Sequence, residues 1–512
     1  MILMSLKKKT NRNRRLFINF ILINAILSTS FLFGCNNSDS SYLAMQDTNG
    51  IVGIEGALIE NPIIKTADEN TSTFSIDIDT ASYVNFRKYI SQMSLSQFQE
   101  NRYTIRTEEA LNYFEYNYQK PTGEDPIAVT TTVGDCSWNQ EARLAMITLA
   151  GKEIVVSEQV DSNIVFLIDI SGSMASEDKL PLLKESLKMA VENLNDKDTI
   201  SIVTYASGVS TVLTGAKGNE RNDIIEAIES FNANGSTAGA DGLNTAYSVA
   251  QDYFIEGGNN RIIIATDGDF NVGPSSIEEM KQLVTDKRKS GIYLTVLGFG
   301  VTYESGDKRL ETLADNGNGG FYVIDDIAEG KKVLCDQFAG SIYTIAKDVK
   351  LQVVFNVNAV ESYRLIGYEN RVLSNDDFSD DSVDAGDLGA SQTVTALYEI
   401  VLKQEAVSDL FSVDVRYKLP DENESKLYQH SAQISSELTG DFYFASAVAE
   451  ACLVINNSKY KGNATLMHAY TNALEYANND SYRLEFVEIL NKIKDFVNTE
   501  VNSEVSSKGL NL

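Results

Sequence analysis

The chain has 512 residues, more than one hydrophobic core usually organises, so we expect two or three domains. A hydrophobic content of 43% with six prolines is typical of a globular protein and excludes extensive disorder. The formal net charge of −29 disfavours nucleic acid and anionic membrane surfaces as partners and favours cations or basic partners. A soluble, self-repelling surface is the simpler explanation of this charge.

The first 35 residues have the pattern of a secretory signal. A basic segment, Lys7–Arg15, precedes an apolar run, Leu16–Phe33, and a Gly-Cys pair ends at Cys35. The letters "LFGC" resemble a bacterial lipobox, in which the cysteine becomes the lipid-modified first residue. We therefore predict a lipoprotein signal peptide over 1–35, a membrane anchor on Cys35 and a location in the bacterial cell envelope. An uncleaved signal anchor is the alternative.

A tether and an N-terminal accessory region are predicted next. Residues 36–70 are polar with several glycines, which is typical of a flexible tether. The accessory region, 71–160, starts with an alternating strand, Phe74–Asp79, and Thr80 is expected to cap the helix after it. A second helix, "TEEALNYFEYNY", is predicted from Thr107, with two acids at the positive end of its dipole. The strands "IAVTTTVG" and "RLAMITLA" follow.

Short apolar strands alternate with amphipathic helices over 161–345. This alternation predicts an α/β fold with a mainly parallel, Rossmann-like central sheet and helices on both faces. Ligands of such sheets bind beyond the carboxyl ends of the strands. The predicted strands are Ile164–Ile168, Thr199–Tyr205, Arg261–Thr266, Tyr293–Gly298 and Gly320–Ile324. The predicted helices are Lys179–Leu194, Asn222–Phe231, Gly242–Phe254, Ser276–Lys289 and Ile327–Ile345.

A C-terminal accessory region is predicted over 346–505. The segments "KLQVVFNVN", "ESYRLIGYEN", "TALYEIVLK" and "FSVDVRYKL" alternate as antiparallel strands do. Between them, residues 374–390 are rich in aspartate and lack apolar periodicity, so we predict a solvated loop. Residues 441–501 have apolar positions at helical spacing. The expected flanks of the central sheet are therefore an α+β or antiparallel β accessory region and a C-terminal helical segment.

Polar side chains follow two of the predicted central strands. Asp169, Ser171 and Ser173 form a D-x-S-x-S run directly after Ile164–Ile168. Thr237 lies on a second, glycine-rich loop, and Asp267 follows the strand "IIIAT". Carboxylate and hydroxyl oxygens are ligands that Mg²⁺ prefers, and mostly neutral ligands leave the ion electrophilic toward an incoming carboxylate. These five residues predict a site for Mg²⁺, or Mn²⁺ or Ca²⁺, with an open position for a partner's Asp or Glu.

The D-x-S-x-S run has a structural alternative. An Asx or Ser turn that caps the next helix needs the same residue types. Two further polar loops ending at the same sheet edge favour the metal site. Asp241, close to Thr237, is expected to face solvent.

Enzymatic activity is not predicted. Both histidines, His430 and His468, lie outside the predicted sheet, and His468 is expected to be packed. The serines lack the G-x-S-x-G context of a nucleophile, and the glycine-rich loops lack a Walker lysine. Trp138 is expected to anchor the core. Cys136, Cys335 and Cys452 allow at most one internal disulfide, and Cys452 is expected to be a buried free thiol.

The five site residues, in this order and on these elements, resemble the metal-ion-dependent adhesion site (MIDAS) of von Willebrand factor type A (VWA) domains. Segments on both sides of them, including "FSIDIDTASYVNFRKYI", "CSWNQEARLAMITLAGKEI" and "YRLIGYENRVL", resemble bacterial VWA lipoproteins of the YfbK type. The resemblance covers residues 70 to 500. It implies a VWA domain flanked by an accessory domain, or inserted into one.

Taken together, the signal pattern and the five site residues predict a lipid-anchored envelope protein, on the periplasmic or the surface side of the outer membrane, that adheres to a protein partner through a metal ion. A second hypothesis is an envelope scaffold in which the ion only braces three loops and the flanking regions bind the partner. A third, a hydrolase of envelope polymers, needs an acid–base pair that the sequence does not indicate.

Overall fold

The computed structural model describes residues 51–53, 58–93, 102–154, 160–236, 239–268, 277–301, 307–404, 409–420, 422–431 and 438–508. These residues belong to one compact unit, Asn49–Leu512. The predicted signal peptide with Cys35, most of the predicted tether, and Thr237 lie outside the described residues. Among the described helices, none is long and apolar enough to cross a bilayer.

The described residues of the N-terminal part form six strands and two helices. The strands are β1 (Ile51–Gly53), β2 (Ile64–Lys65), β3 (Thr71–Ser75), β4 (Arg102–Thr104), β5 (Ile127–Asp135) and β6 (Arg143–Gly151). The helices are α1 (Ala81–Gln92) and α2 (Thr107–Asn112).

The central part is the predicted α/β unit. Its strands are β7 (Ser162–Asp169), β8 (Thr199–Tyr205), β9 (Val209–Lys217), β10 (Asn259–Thr266), β11 (Ile292–Phe299) and β12 (Phe321–Ile324). Its helices are α3 (Leu180–Val191), α4 (Arg221–Glu229), α5 (Gly239–Asp252), α6 (Ile277–Arg288), α7 (Asp307–Asn316), α8 (Ile327–Lys331) and α9 (Phe338–Ile342). The strand order is β12-β11-β10-β7-β8-β9, and every pair is parallel except β8–β9.

The C-terminal part begins with strands and ends with helices. The strands are β13 (Thr344–Phe355), β14 (Val360–Ile366), β15 (Val372–Leu373), β16 (Leu388–Gly389), β17 (Thr393–Leu402), β18 (Phe411–Lys418) and β19 (Lys426–Ser431). The helices are α10 (Gly440–Ile455), α11 (Leu466–Glu475) and α12 (Ser481–Lys508).

Strands from before and after the central sheet pair with one another. One accessory sheet has the order β15-β3-β13-β18-β19, and the other has the order β2-β14-β17-β6-β5. Because β3 pairs with β13 and β6 pairs with β17, both accessory sheets contain strands from each flank. Part of the predicted tether is therefore wrong: β2 pairs with β14, and the Asn61 side chain donates to the Gly367 carbonyl at 2.7 Å.

Alternate residues of β7 enter two hydrophobic clusters. Val165 and Leu167 pack in one cluster with residues of the C-terminal helices, such as Phe444. Ile164, Phe166 and Ile168 pack in the other cluster with α3 and the accessory strands. This two-sided burial explains why the strand is apolar at successive positions. The predicted fold class, a mainly parallel sheet covered on both faces, is confirmed.

The two N-terminal helices differ from their predictions. Thr80 makes no side-chain cap bond; the Glu109 carboxylate instead accepts from the Ser82 N–H at 2.7 Å, in the first turn of α1. Helix α2 ends at Asn112, whose side chain donates to the Asp77 carbonyl and accepts from the Thr395 N–H, each at 2.8 Å. The Glu108 side chain is fully buried, and burial raises its pKa, so it does not act as a solvated charge on the helix dipole.

Other elements of the central part were not predicted or differ from their predictions. The sequence analysis did not predict β9, an edge strand whose side chains are mostly exposed, or α7. The single helix predicted over Ile327–Ile345 is broken into α8, a π-helical turn at Lys332–Asp336, and α9.

Several single residues were also predicted. Trp138 is buried as expected, and Cys452 is a buried free thiol; Cys136 and Cys335 are also free. The prediction for His468 is wrong: its side chain is 48% exposed and its Nδ1 lies 2.8 Å from the Glu450 carboxylate, because α11 turns that face toward solvent.

Candidate metal centre

Asp169 ends β7 and is fully buried. Its Oδ1 accepts a hydrogen bond from the backbone N–H of Ser171 at 2.8 Å. Its Oδ2 accepts from the hydroxyls of Tyr205 at 3.2 Å and Thr266 at 3.1 Å. Because these donors come from the following loop and from the adjacent strands β8 and β10, the carboxylate is held in one orientation.

The electrostatic surroundings of Asp169 favour a nearby cation. Burial raises the pKa of this carboxyl group, the hydrogen bonds from Ser171 and Thr266 oppose the rise, and the negative charge of Asp267 adds to it. A buried carboxylate close to a second carboxylate is stabilised when a positive charge lies between or beside them.

Ser171 and Ser173 present their hydroxyls side by side. The chain leaves β7 through a 3₁₀ turn, Gly172–Ala175, and the two Oγ atoms are 3.0 Å apart. Ser171 is buried and Ser173 is exposed. The hydroxyl of Ser171 does not cap the 3₁₀ turn, and α3 begins only at Leu180, with Lys179 as its capping residue. The turn alternative therefore accounts for the Asp169–Ser171 bond but not for the paired hydroxyls.

The second loop lies against the first. The Gly172 N–H donates to the Gly235 carbonyl at 3.0 Å, and the Asn234 N–H donates to the Ile170 carbonyl at 2.8 Å. Gly235 has a φ of +83°, and a Cβ there would lie 2.4 Å from the Ser207 Oγ, so the loop requires glycine at this position. Thr237, two residues farther along, lies outside the described residues.

The third loop brings Asp267 next to a lysine. The Asp267 side chain is 2% exposed, and its Oδ2 lies 2.8 Å from the Lys179 Nζ. The same ammonium donates to the Ser173 carbonyl at 2.9 Å. The lysine stem runs along Gly300, where a Cβ would come within 2.6 Å of the Lys179 Cε. A positive charge from the chain itself therefore joins the first and third loops.

The donor set fits a hard divalent cation. Mg²⁺ binds oxygen ligands in octahedral geometry and usually keeps several waters. Asp169, Ser171, Ser173 and Asp267 supply carboxylate and hydroxyl oxygens at this edge of the sheet. Within the described part of the chain, no three His, Cys, Asp or Glu side chains form a metal-binding cluster. The candidate site has only two carboxylates, and its other ligands are hydroxyls. It is therefore compatible with the absence of such a cluster.

The sequence analysis missed three residues of this site: Tyr205, Thr266 and Lys179. Tyr205 and Thr266 end their strands at the same edge as Asp169, and that placement was a usable signal. Lys179 gave no such signal, because its contact with Asp267 spans 88 positions of sequence. Asp241 is exposed, as expected.

Protein-family models match three parts of the chain. The model of the von Willebrand factor type A domain matches residues 163–334. A model described as von Willebrand factor matches residues 56–146. A model of the C-terminal region of the uncharacterized protein YfbK matches residues 340–408 and 402–496.

The chain aligns with known proteins over different lengths. The chain is 34% identical over 460 residues to the uncharacterized protein YfbK of Escherichia coli (strain K12), covering 84% of this chain and 79% of that protein. It is 32% identical over 149 residues to inter-alpha-trypsin inhibitor heavy chain H3 of Homo sapiens, covering 28% of this chain and 17% of that protein. A solved von Willebrand factor type A structure from Catenulispora acidiphila aligns at 17% identity and a TM-score of 0.42, covering 73% of this chain and 91% of that chain.

Proposed function

Because the chain belongs to the YfbK family of von Willebrand factor type A proteins, we propose that it captures an acidic protein partner through a divalent metal ion. Asp169, Ser171, Ser173, Thr237 and Asp267 would hold the ion, which is Mg²⁺, or Mn²⁺ or Ca²⁺ in its place. The bound ion would supply a Lewis-acid site for the carboxylate of a partner's Asp or Glu.

One observation carries the proposal: two seryl hydroxyls, 3.0 Å apart and not used as helix caps, adjoin a fully buried carboxylate. Tyr205 and Thr266 orient that carboxylate through Oδ2. The exposed Ser173 would be the part of the site nearest to the partner. The scaffold hypothesis gains less support, because backbone hydrogen bonds already join the first two loops without an ion.

Calorimetric titration of the full-length protein with Mg²⁺ and Mn²⁺ tests the ion site. Asp169→Ala and Ser173→Ala are each expected to weaken binding at least about tenfold, which corresponds to 1.4 kcal/mol. Asp241→Ala, which removes an exposed carboxylate close to the site, should bind as the wild type does. Because Ser173 is exposed, its variant should fold even if Asp169→Ala does not. Wild-type affinity in Ser173→Ala would contradict the proposal.

A crosslinking screen on intact cells tests the partner. If the partner binds through the ion, EDTA treatment and the Ser173→Ala substitution should each abolish the same crosslinked band. A band that survives both treatments would instead support a scaffold whose flanking regions bind the partner. Loss with EDTA alone would contradict the role given to Ser173.

We also propose that the protein is a cell-envelope lipoprotein of the outer membrane, anchored through Cys35. The support is the sequence pattern that ends in "LFGC". Metabolic labelling with radioactive palmitate should label the wild type but not Cys35→Ser. Cys335→Ser, a matched change at another cysteine, should be labelled normally. Label in Cys35→Ser would contradict the anchor.

A further inference from the structure

A cleft of 260 Å³ lies where the central sheet meets both accessory segments. Its walls come from residues 75–79 after β3, from the amino ends of β10 and β12, and from residues 384–389. Arg261, in this wall, precedes Thr266 by five strand residues, or about 16 Å along β10. Since Thr266 contacts Asp169, the cleft and the candidate metal centre lie at opposite ends of the sheet.

Arg261 is a buried cation without a carboxylate partner in the described part of the chain. It is 1% exposed, and its guanidinium donates to the Thr295 hydroxyl at 2.8 Å, the Thr344 hydroxyl at 3.1 Å and the Asn318 carbonyl at 3.5 Å. Its Nε has no partner among the described residues. Two of its five N–H groups therefore have no hydrogen-bond acceptor among the described residues.

Other buried arginines of the described chain are neutralised. Arg87 pairs with Asp325, Arg364 pairs with Glu399 at 2.7 Å, and Arg483 pairs with Asp441 at 2.7 Å. An unpaired buried charge is costly, and burial lowers the pKa of Arg261 accordingly. An anionic group in the cleft would remove this cost.

Asp387 is the complementary group in the lining of the same cleft. Five aspartates line the cleft; Asp77, Asp79 and Asp315 pair with Arg371, and Asp384 pairs with Arg288. Asp387 forms no ion pair with any described residue. Its Oδ1 accepts from the Asp348 N–H at 3.0 Å, and its Oδ2 is buried without a partner. Burial, and then the charge of Asp348, raise the pKa of Asp387 to about 7.

We propose that this cleft binds a small zwitterion, an amino acid or a very short peptide, with its carboxylate at Arg261 and its ammonium at Asp387. Arg261 and Asp387 are close enough that the charge of Asp387 affects the pKa of Arg261, yet they do not touch. Both residues line the cleft, so a molecule that carries both charges would pair with both groups. The volume is below the roughly 300 Å³ at which pockets for drug-sized ligands begin, which favours a small ligand.

The cleft also offers an apolar surface for the remainder of such a ligand. Ile76, Tyr322 and Leu373 line it alongside the charged groups. Lys281 lies exposed at its rim. An amino acid with a small or apolar side chain suits this lining better than an acidic one, because four further aspartates stand around the cleft.

Calorimetry on the full-length protein in EDTA tests the proposal independently of the metal site. The probes are alanine, γ-aminobutyrate, dialanine and trialanine, in which the two charges lie progressively farther apart. Acetate and ethylammonium each carry one of the two charges. At least one zwitterion is expected to bind with a dissociation constant below about 10 mM and at least about tenfold more tightly than either single-charge probe. Failure of all four zwitterions would overturn the proposal.

Three variants assign the binding to the two charges. Asp387→Asn and Arg261→Gln should each weaken the zwitterion at least about tenfold, or 1.4 kcal/mol. Asp376→Asn, the same change at an exposed position of the same segment, should have no effect. If Arg261→Gln does not fold, the test depends on Asp387→Asn. Wild-type affinity for the zwitterion in Asp387→Asn would overturn the assignment.

Discussion

At the scale of single residues, Lys179 stands out because it places a fixed positive charge where a metal ion is proposed to bind. Its ammonium contacts Asp267, a proposed ligand, and the carbonyl of Ser173. In the absence of an ion, this contact neutralises a carboxylate whose side chain is only 2% exposed. In the presence of an ion, the same ammonium repels it. At the proposed site, Lys179 would therefore lower the affinity for the ion while it stabilises the metal-free state.

We predict that Lys179→Met binds Mg²⁺ or Mn²⁺ about tenfold more tightly, since removal of the ammonium removes this repulsion. The same variant should have a lower melting temperature in EDTA, because the buried Asp267 carboxylate loses its ion pair with Lys179. Calorimetric titration and thermal melts measure the two effects. Lys184→Met is the control, since Lys184 lies in α3, which directly follows Lys179, but contacts the carbonyl and the carboxylate of Glu229. Weaker metal binding by Lys179→Met would contradict the prediction.

At the scale of elements, burial decided which parts of the fold could be predicted. The β7 and β10 segments are buried at every position, and so they have a clear sequence pattern. By contrast, β9 lies at the sheet edge with mostly exposed side chains, and its residues did not stand out. The pairing of β3 with β13 could not be read at all, because it joins segments that are about 280 positions apart. For the same reason, Lys179 was not predicted, because the residue that it contacts is 88 positions away in sequence. Asp169 was predicted because the other residues of its motif, Ser171 and Ser173, follow it directly.

The π-helical turn after α8 gives a second element-scale prediction. Lys332 begins this turn, is 2% exposed, and donates to the Tyr113 carbonyl at 2.6 Å. Its Nζ lies 2.9 Å from the centre of the Tyr113 ring. Burial lowers the pKa of Lys332 from 10.5 to about 8, although Glu329 partly opposes this. Between these two pH values the unfolded chain retains a proton that the folded chain has lost, so folding becomes more favourable as pH rises.

Lys332→Met should remove this contribution. The difference in free energy of unfolding, wild type minus variant, is expected to rise by about 1 kcal/mol per pH unit between pH 8 and 10. Urea titrations at several pH values measure it. Lys331→Met, at an adjacent position whose side chain is 60% exposed, should follow the wild-type profile. Parallel profiles for the wild type and Lys332→Met would show that Lys332 keeps an ordinary pKa.

At the scale of the whole molecule, a buried polar cluster joins the two flanks of the central sheet. Glu399, in β17, accepts from the Trp138 Nε1 at 2.5 Å and from the Arg364 Nε at 2.7 Å. Trp138 precedes the central sheet in sequence, whereas Arg364 and Glu399 follow it. The Arg364 guanidinium also lies 4.4 Å from the centre of the Tyr460 ring, before α11. The accessory strands and the C-terminal helices are therefore tied together at one point.

This arrangement predicts that the accessory and central parts unfold together. Both hydrophobic clusters combine side chains of the central sheet with side chains of the accessory parts, so neither part can lose its packing alone. Glu399→Gln leaves Arg364 buried without a counter-charge, and we expect a loss of about 3–5 kcal/mol. Glu361→Gln, an exposed change on the neighbouring strand β14, should cost little. Scanning calorimetry should show one transition in both variants, shifted to lower temperature as a whole in Glu399→Gln. A second transition that stays at the wild-type temperature would mean that the central sheet is stable independently of the strands around it.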